Sequence, residues 1–501
     1  MLRVVIIKPS KYGVSGYVER FRRGFMPNST VPYIRSMTPA SLDGIRIETH
    51  AIDEYVQTDL HYLNLIKDPD QPTLLAVVGV QSHQFQRALD LSAFAREHGV
   101  EHCVIGGPHP MTCDTTMLQG RGVSFALAEA ELIWEDILRD AMRGELAPVY
   151  GGEQRWQNTL DAPVLQPPSR ENLKRYVVPM LGVYPSRGCP FTCNFCSVIK
   201  IAGQRIRSQE IETTLASLRA AKAAGVRLVM FTSDNFNKYP EAAELLVRMI
   251  DERINIPFFV QCDTQIVKQE EFVDLLGRAG CFQMFVGVES FDRKTLLAAH
   301  KSQNHPEMYG RIVRMCREAG ISTHYSNIIG FPTDTRESIQ EHVSRLRDVQ
   351  PDFASFYILT PIPGTEQYDQ FLNARWITEM NLDRYDGQCV TWRHPHLEDH
   401  EIEDLLFNAY LSYYTPRQIM RDMRGSLRSH RPWPICIGFG LSLSSWLSAK
   451  RRLHPMSGGI GKLKVDRAED FIHLRQKHFG FDYIPLPLSL HLPANALSSS
   501  G

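Results

Sequence analysis

Short apolar runs alternate with amphipathic helical patterns twice along this chain, in two blocks parted by a glycine- and proline-rich stretch. That alternation restricts the fold more than any other feature. In the first block, apolar runs fall at residues 4–7, 45–47, 74–80, 103–105 and 123–127, with helical periodicity at 84–98 and 132–144. Strands that alternate with helices run parallel, and the helices cover both faces of their sheet. Such a doubly wound sheet binds ligands at the carboxyl ends of its strands. Residues 151–180, with Gly151, Gly152, Pro163, Pro167 and Pro168, break the pattern as a linker. The second block places strands at 181–184, 228–232, 258–261, 284–288, 323–329 and 353–359. Its helices fall at 210–224, 240–251, 270–279, 292–297, 307–319 and 336–349. Six such units predict a partial, open barrel whose post-strand loops carry the chemistry. Beyond about residue 376 the pattern weakens: 401–414 reads as a helix, 421–431 is basic and polar, and the last ten residues read as a frayed tail. The expected class is α/β, with a doubly wound parallel sheet at 1–150, a linker at 151–180, a partial (β/α)6 barrel at 181–375 and a mostly helical region at 376–501.

Length and composition agree with this division. A chain of 501 residues with 43% hydrophobic residues has core enough for two to three domains. A net charge of −1 gives no electrostatic case for nucleic acid as a partner. Ten cysteines are too sparse for a disulfide framework and fit a reducing cytoplasm. The start, MLRVVIIKPS, lacks the apolar core of a signal peptide and reads as a buried strand. No run approaches the roughly 20 apolar residues that span a bilayer. Residues 435–447, followed by Lys450, Arg451 and Arg452, have two readings: a segment lying on a membrane surface, or a core helix with a solvated basic end.

The first loop of the second block reads RGCPFTCNFC, with Cys189, Cys193 and Cys196 spaced Cys-x-x-x-Cys-x-x-Cys. Three thiolates on one short loop can hold three corners of an iron–sulfur cube and leave its fourth iron open. An open iron can bind and cleave a substrate, whereas a fully ligated cube only passes electrons. Gly188 and Pro190 shape the loop, Phe195 sets an apolar ring beside it, and Arg187, Lys200, Arg205 and Arg207 are expected to offset the thiolate charge. Structural zinc is the competing reading. It wants four ligands, and the next cysteine is Cys262. Three merely buried thiols are the remaining one.

Four later strands end in polar or glycine-bearing turns at barrel spacing: Phe231-Thr232-Ser233-Asp234-Asn235-Phe236, Val286-Gly287-Val288-Glu289-Ser290, Asn327-Ile328-Ile329-Gly330-Phe331-Pro332 and Thr360-Pro361-Ile362-Pro363-Gly364-Thr365. In the first block Ser82, Gly106-Gly107-Pro108-His109-Pro110 and Ala128-Glu129-Ala130-Glu131 follow successive strands. With the cysteine loop, these residues make roughly residues 1–375 resemble the radical S-adenosylmethionine (SAM) enzymes, in the branch with an N-terminal, Rossmann-like cobalamin-binding domain. The resemblance implies a [4Fe-4S] cluster on Cys189, Cys193 and Cys196. Its open iron is chelated by SAM, which one electron cleaves to a 5′-deoxyadenosyl radical. It further implies SAM contacts at Phe195, Asp234, Asn235, Glu289, Ser290 and Gly330. Many relatives carry Gly-Gly-Glu where Asp234-Asn235 stands, so the atoms that meet the methionine amine stay open. Read without the resemblance, Asp-Asn is an ordinary turn and Glu289 a helix-start acid.

For the N-terminal half the resemblance implies that Ser82, Gly106, Gly107, His109 and Glu129 cradle the nucleotide tail of cobalamin. Ala128 stands where the family usually has glycine, and no Asp-x-His-x-x-Gly supplies a histidine to cobalt. The implied activity is methylation of an unactivated carbon in a small-molecule or lipid-like substrate, with an external flavodoxin- or ferredoxin-type electron donor. The alternatives are a cyclase, carbon–carbon bond-forming or oxidising enzyme with the same cofactors, and a non-catalytic corrinoid or electron carrier. Against the carrier stands the open-iron spacing. Trp392, His394, His396, Tyr410, Tyr413 and Tyr414 are candidate substrate contacts in a C-terminal region expected to cap the barrel; helical core packing explains the tyrosines equally well.

Overall fold

The computed structural model describes residues 1–57, 61–67, 71–152, 154–420, 432–455 and 458–481. In the N-terminal part, β1 (Leu2–Lys8), β2 (Ile45–Asp53), β3 (Thr73–Val77), β4 (His102–Gly106), β5 (Ser124–Ala126) and β6 (Val149–Tyr150) form one parallel sheet in the order β2-β1-β3-β4-β5-β6. A short strand, Ser41–Leu42, adds antiparallel to the outer edge of β2. β1 and β3 are buried throughout apart from Lys8, which is why they read as unbroken apolar runs rather than alternating ones. Chain order reverses between β1 and β3, so a crevice opens at their carboxyl ends.

The second sheet holds β7 (Met180–Val183), β8 (Leu228–Phe231), β9 (Phe258–Cys262), β10 (Cys281–Glu289), β11 (Ser322–Ile329) and β12 (Phe353–Ile358). All six are parallel and neighbours in sequence are neighbours in space. Helices return the chain between strands at Ile211–Ala224, Ala242–Asp251, Glu270–Ala279, Arg293–Ala298, Tyr309–Glu318 and Arg336–Val349. β7 and β12 are not paired with each other, so the barrel is open.

An open barrel leaves the outer edge of β12 with unpaired backbone groups, a liability in any sheet. Here the C-terminal region covers it. From the helix Asp399–Tyr413, the Tyr410 hydroxyl donates to Phe356 O and accepts from Phe356 N–H, both at 3.0 Å. Tyr414 does the same for Ala354, at 2.8 and 3.0 Å, and Tyr413 donates to Pro351 O. His454 adds a bond to Phe356 O at 2.8 Å. These tyrosines are therefore edge-sealing groups and not substrate contacts. Tyr410→Phe strands the buried Phe356 N–H and leaves the Phe356 carbonyl with His454 alone, and thermal or denaturant unfolding should show a loss of ~1–3 kcal/mol.

Two elements had no clear signal in the sequence. Tyr17–Gly24 and Gly459–Arg467 pair as an antiparallel ribbon, with Lys462 opposite Phe21 and Val465 opposite Val18. Both are rich in charge because one side of the ribbon faces solvent. The ribbon ties the C-terminal region to the first sheet through buried ion pairs. Arg20 contacts Glu54 at 2.8 Å and Asp466 at 2.9 Å, and Arg87 reaches Glu54 at 2.6 Å. Burial alone would raise the Glu54 carboxyl, but Arg87 and Arg20 hold it well below the usual range. Arg475 clasps Asp90 at 2.5 Å in the same way.

The apolar segment near 435–447 lies in the helix Pro432–Lys450. Ser442, Ser445 and Ala449 are buried, and the helix packs on Asp399–Tyr413. Its basic end is engaged within the chain: Lys450 lies over the Trp446 ring, and Arg452 meets Asp404 at 2.7 Å. Among the described residues no helix is long and apolar enough to cross a membrane.

Candidate active site between the two sheets

The loop after β7 is pinched at its base by a short antiparallel pair, Ser186–Arg187 with Arg207–Ser208. Gly188 begins the loop at φ +103°, and a Cβ there would lie 2.3 Å from Arg205 O, so only glycine fits. Asp234 accepts the Gly188 N–H at 2.7 Å, and Cys189 N–H donates to Gly203 O at 3.2 Å. Cys189, Cys193 and Cys196 are all free thiols. Asn235 Nδ2 lies 4.0 Å from Cys189 Sγ, and Gln303 Nε2 lies 3.6 Å from Cys193 Sγ. Burial pushes the Cys196 thiol up to about 12 and raises Cys189 as well. Thiols so placed become thiolates when a metal displaces the proton. Among the described residues, no three Cys, His, Asp or Glu side chains converge on one ion position. Free thiols spread along one loop, with amide donors turned to two of the sulfurs, fit a cube whose corners are separate irons.

The residues expected to hold SAM gather around this loop, and several already have protein partners. Phe195 packs edge-on against Phe331, with centroids 6.1 Å apart, and Lys301 Nζ lies 5.7 Å from its ring centre. Asp234 is turned to Gly188. Asn235 pairs reciprocally with Asp263, at 2.8 Å from Nδ2 and 3.1 Å to Oδ1. Asp234 thus braces the cysteine loop, while Asn235 ties the turn to the loop after β9. Glu289 follows a register shift in β10, sits at φ +61° and is bonded by Lys301 at 2.5 Å. A non-glycine residue in the left-handed region marks strain held at a site. Ser290 Oγ accepts from Asp292 N–H at 3.1 Å. Gly330, at φ +87°, donates with Phe331 to Asp334 Oδ2, each at 2.9 Å. Trp392 and His394 support the tops of β12 and β11 from behind, through Leu359 O at 2.9 Å and Phe331 O at 2.7 Å. His394 Nδ1 in turn accepts from His396 N–H at 3.0 Å.

At the carboxyl ends of β3 to β5 lies a cavity of about 300 Å³, floored by Gly79, Gly106, Gly107, Ala126 and Ala128 and walled by Tyr33, Ile133 and Trp134. Small residues make this floor open, which suits a flat aromatic base. A Cβ on Gly107, at φ +138°, would lie 2.1 Å from Val80 N. Gly107→Ala should therefore cost ~1–3 kcal/mol in backbone strain alone; melting curves and retention of added cobalamin would both register it. Ser82 bonds His109 Nδ1 at 3.0 Å, and the His109 ring stacks on Phe85 with centroids 4.1 Å apart. His109 is turned into the domain and lines neither this cavity nor the one described next.

Glu129 lines the cavity, yet both its oxygens face arginines. Arg207 reaches them at 2.7 Å each and Arg187 reaches one at 3.1 Å. Arg187 also pairs with Glu131 at 2.8 Å and lies over the Tyr33 and Tyr184 rings. This corrects the expectation that Arg187 and Arg207 offset the cysteine thiolates: they clamp the first sheet to the base of the cysteine loop. A cation that does act on Cys193 and Cys196 is Lys301, which the sequence did not single out, because a polar His-Lys-Ser-Gln-Asn loop carries no periodic signal.

A second cavity, about 570 Å³, lies between the two sheets. Its lining combines Gln81, Ser82 and His83 after β3, Phe195 and Val198 of the cysteine loop, and Glu289, Ser326, Ile328 and Ile358 of the barrel. Tyr385, Asp386 and Gly387 close it from the C-terminal region. Pro108 and Ile201 border both cavities.

An open parallel barrel with three free thiols after its first strand, facing a doubly wound sheet, defines a class of protein. A model of the radical SAM superfamily matches residues 183–346. The bacteriochlorophyllide d C-12(1)-methyltransferase of Chlorobaculum tepidum is 26% identical over 335 residues, covering 64% of this chain and 71% of the relative. The C-8(2)-methyltransferase of the same organism is 24% identical over 399 residues, covering 76% and 87%. In fold, the chain is similar to the radical SAM methyltransferase TsrM of Kitasatospora setae, solved with cobalamin and a [4Fe-4S] cluster. That match has a TM-score of 0.63 at 15% identity and covers 90% of this chain and 99% of the other. Residues 183–346 thus match a radical SAM domain.

Proposed function

We propose that this protein is a cobalamin-dependent radical SAM methyltransferase acting at an unactivated carbon of an apolar small molecule. The observation that carries the reading is the cavity of about 570 Å³, to which the cysteine loop, the barrel strand ends and the first sheet's ligand edge all contribute. In this reading Cys189, Cys193 and Cys196 hold a [4Fe-4S] cluster, and Phe195, Glu289, Ser290 and Gly330 lie around SAM. Gly106 and Gly107 floor the place of the cobalamin tail, and Ser82 stands at the rim of the corrin space. When bound, the cluster with SAM supplies radical hydrogen abstraction and the corrinoid supplies the methyl group. The protein's own part is to orient and to exclude water. Glu289, fixed by Lys301, offers oxygens to a ribose. Asp234 keeps the cysteine loop in place and Asn235 is tied to Asp263, leaving the methionine amine to backbone atoms nearby. Ile328, Ile358, Leu359, Ile362 and Val198 give the cavity apolar walls, which favour a lipid-like or macrocyclic substrate. Electrons come from a flavodoxin- or ferredoxin-type carrier.

The test is isotopic. Reconstituted protein is given methyl-labelled SAM, cobalamin, a reductant and the apolar extract of cells lacking the gene. The expected result is one extract component heavier by a labelled methyl group, with 5′-deoxyadenosine released. A product changed in hydrogen count but carrying no label would replace methyl transfer with cyclisation or oxidation.

A further inference from the structure

The loop Lys301–Asn304 lies outside every motif that points to the site, yet each of its polar side chains but Ser302 is directed at it. Asn304 Nδ2 donates to Gly287 O and Val288 O, each at 2.9 Å, and its Oδ1 accepts from Thr264 at 2.9 Å. Lys301 grips Glu289. Arg293 holds the loop from outside through Ser302 O at 2.9 Å. Between these anchors Gln303 is 9% exposed, and its Nε2 faces Cys193 Sγ at 3.6 Å. Only one orientation of that amide suits an anionic sulfur, with N–H toward it and the carbonyl away.

We infer that Gln303 is a positioning residue that raises the electron affinity of the cluster, by donating a hydrogen bond to the sulfur of Cys193. The inference rests on the reading of Cys189, Cys193 and Cys196 as cluster ligands. Each electron added to an iron–sulfur cube places more negative charge on its sulfurs. A donor fixed beside one of them therefore stabilises the reduced form more than the oxidised form. Because neighbouring bonds hold the loop, the donor is already in place when the electron arrives.

The experiment is an EPR-monitored redox titration of anaerobically reconstituted wild-type, Gln303→Leu and Gln303→Glu proteins without SAM, with iron and sulfide counted in each. Midpoints should fall from wild type to Leu and again to Glu, since Leu removes the donor and Glu adds an anion. At the wild-type midpoint, the reduced-to-oxidised ratio in Gln303→Leu should be lower by roughly tenfold, as for loss of one bond to a charged group. General loosening of the loop would not produce that order. Should the Leu protein fail to load iron, Gln303→Asn, which withdraws the amide by one methylene, gives the same comparison. Equal midpoints in fully loaded proteins would overturn the inference alone. Wild-type protein that takes up no cluster would overturn it together with the reading beneath it.

Discussion

Cys193→Ala is expected to abolish SAM cleavage. If Cys193 is one of three cluster ligands, as proposed, its loss takes a corner from the cube, and the loop offers no replacement thiol, since Cys262 lies on β9. Turnover should fall to the uncatalysed background, a loss of at least about 10³-fold given that enzymes accelerate reactions by 10⁶-fold or more. Cys189→Ala and Cys196→Ala should match it, because in the proposed reading each thiol holds a different iron. The checks are iron content after reconstitution and 5′-deoxyadenosine formation under reductant. By contrast, Cys262→Ala, at a buried thiol at the end of β9, should keep both. A Cys193→Ala protein that loads four irons and cleaves SAM normally would remove the loop from the chemistry.

Glu129→Ala should have the second-largest effect, on stability. Glu129 takes three bonds from Arg207 and Arg187 in a place that is nearly sealed from water. Removing one partner of a buried pair leaves uncompensated charge, which costs ~3–5 kcal/mol. Glu131 still holds Arg187, so the unpaired group is chiefly Arg207. Burial alone would raise the Glu129 carboxyl; the two arginines win and hold it below its ordinary value. Glu129→Gln, which keeps an acceptor, should lie between Ala and wild type. Both changes should loosen the first sheet from the cysteine loop before either sheet melts, and hydrogen exchange at residues 186–208 against the sheet cores would resolve this. Unchanged exchange in Glu129→Ala would mean that the clamp does not hold the two parts together.

Much of the fold was legible in the sequence for one physical reason. Strands buried on both faces are largely apolar, so β1, β3, β7 to β9 and β12 announce themselves, and the helices between them keep their period; β11, reading Ser-Thr-His-Tyr-Ser-Asn-Ile-Ile, carries polar side chains and shows only at its end. Where an element has one face in water, the signal fades, as in the ribbon of Tyr17–Gly24 with Gly459–Arg467. The cysteine spacing was legible because a local loop supplies all three ligands. Partners distant in sequence were not. Arg187 and Arg207 flank the cysteines, yet their carboxylate lies 58 and 78 residues earlier. Likewise the tyrosines of Asp399–Tyr413 look like an aromatic binding surface until β12 is seen to lack a neighbour on that side. The loop of Lys301 and Gln303 had no pattern at all, and only the meeting of two post-strand loops gives it meaning.

The most direct measurement is EPR with nitrogen hyperfine spectroscopy on the reduced, anaerobically reconstituted protein, with and without SAM labelled with ¹⁵N at its amino group. The structure predicts one [4Fe-4S] cube per chain, a signal that changes when SAM is added, and coupling from the label to a single iron. A cube indifferent to SAM, with a fourth side chain on its last iron, or a protein that binds zinc and no iron–sulfur cluster, would contradict it.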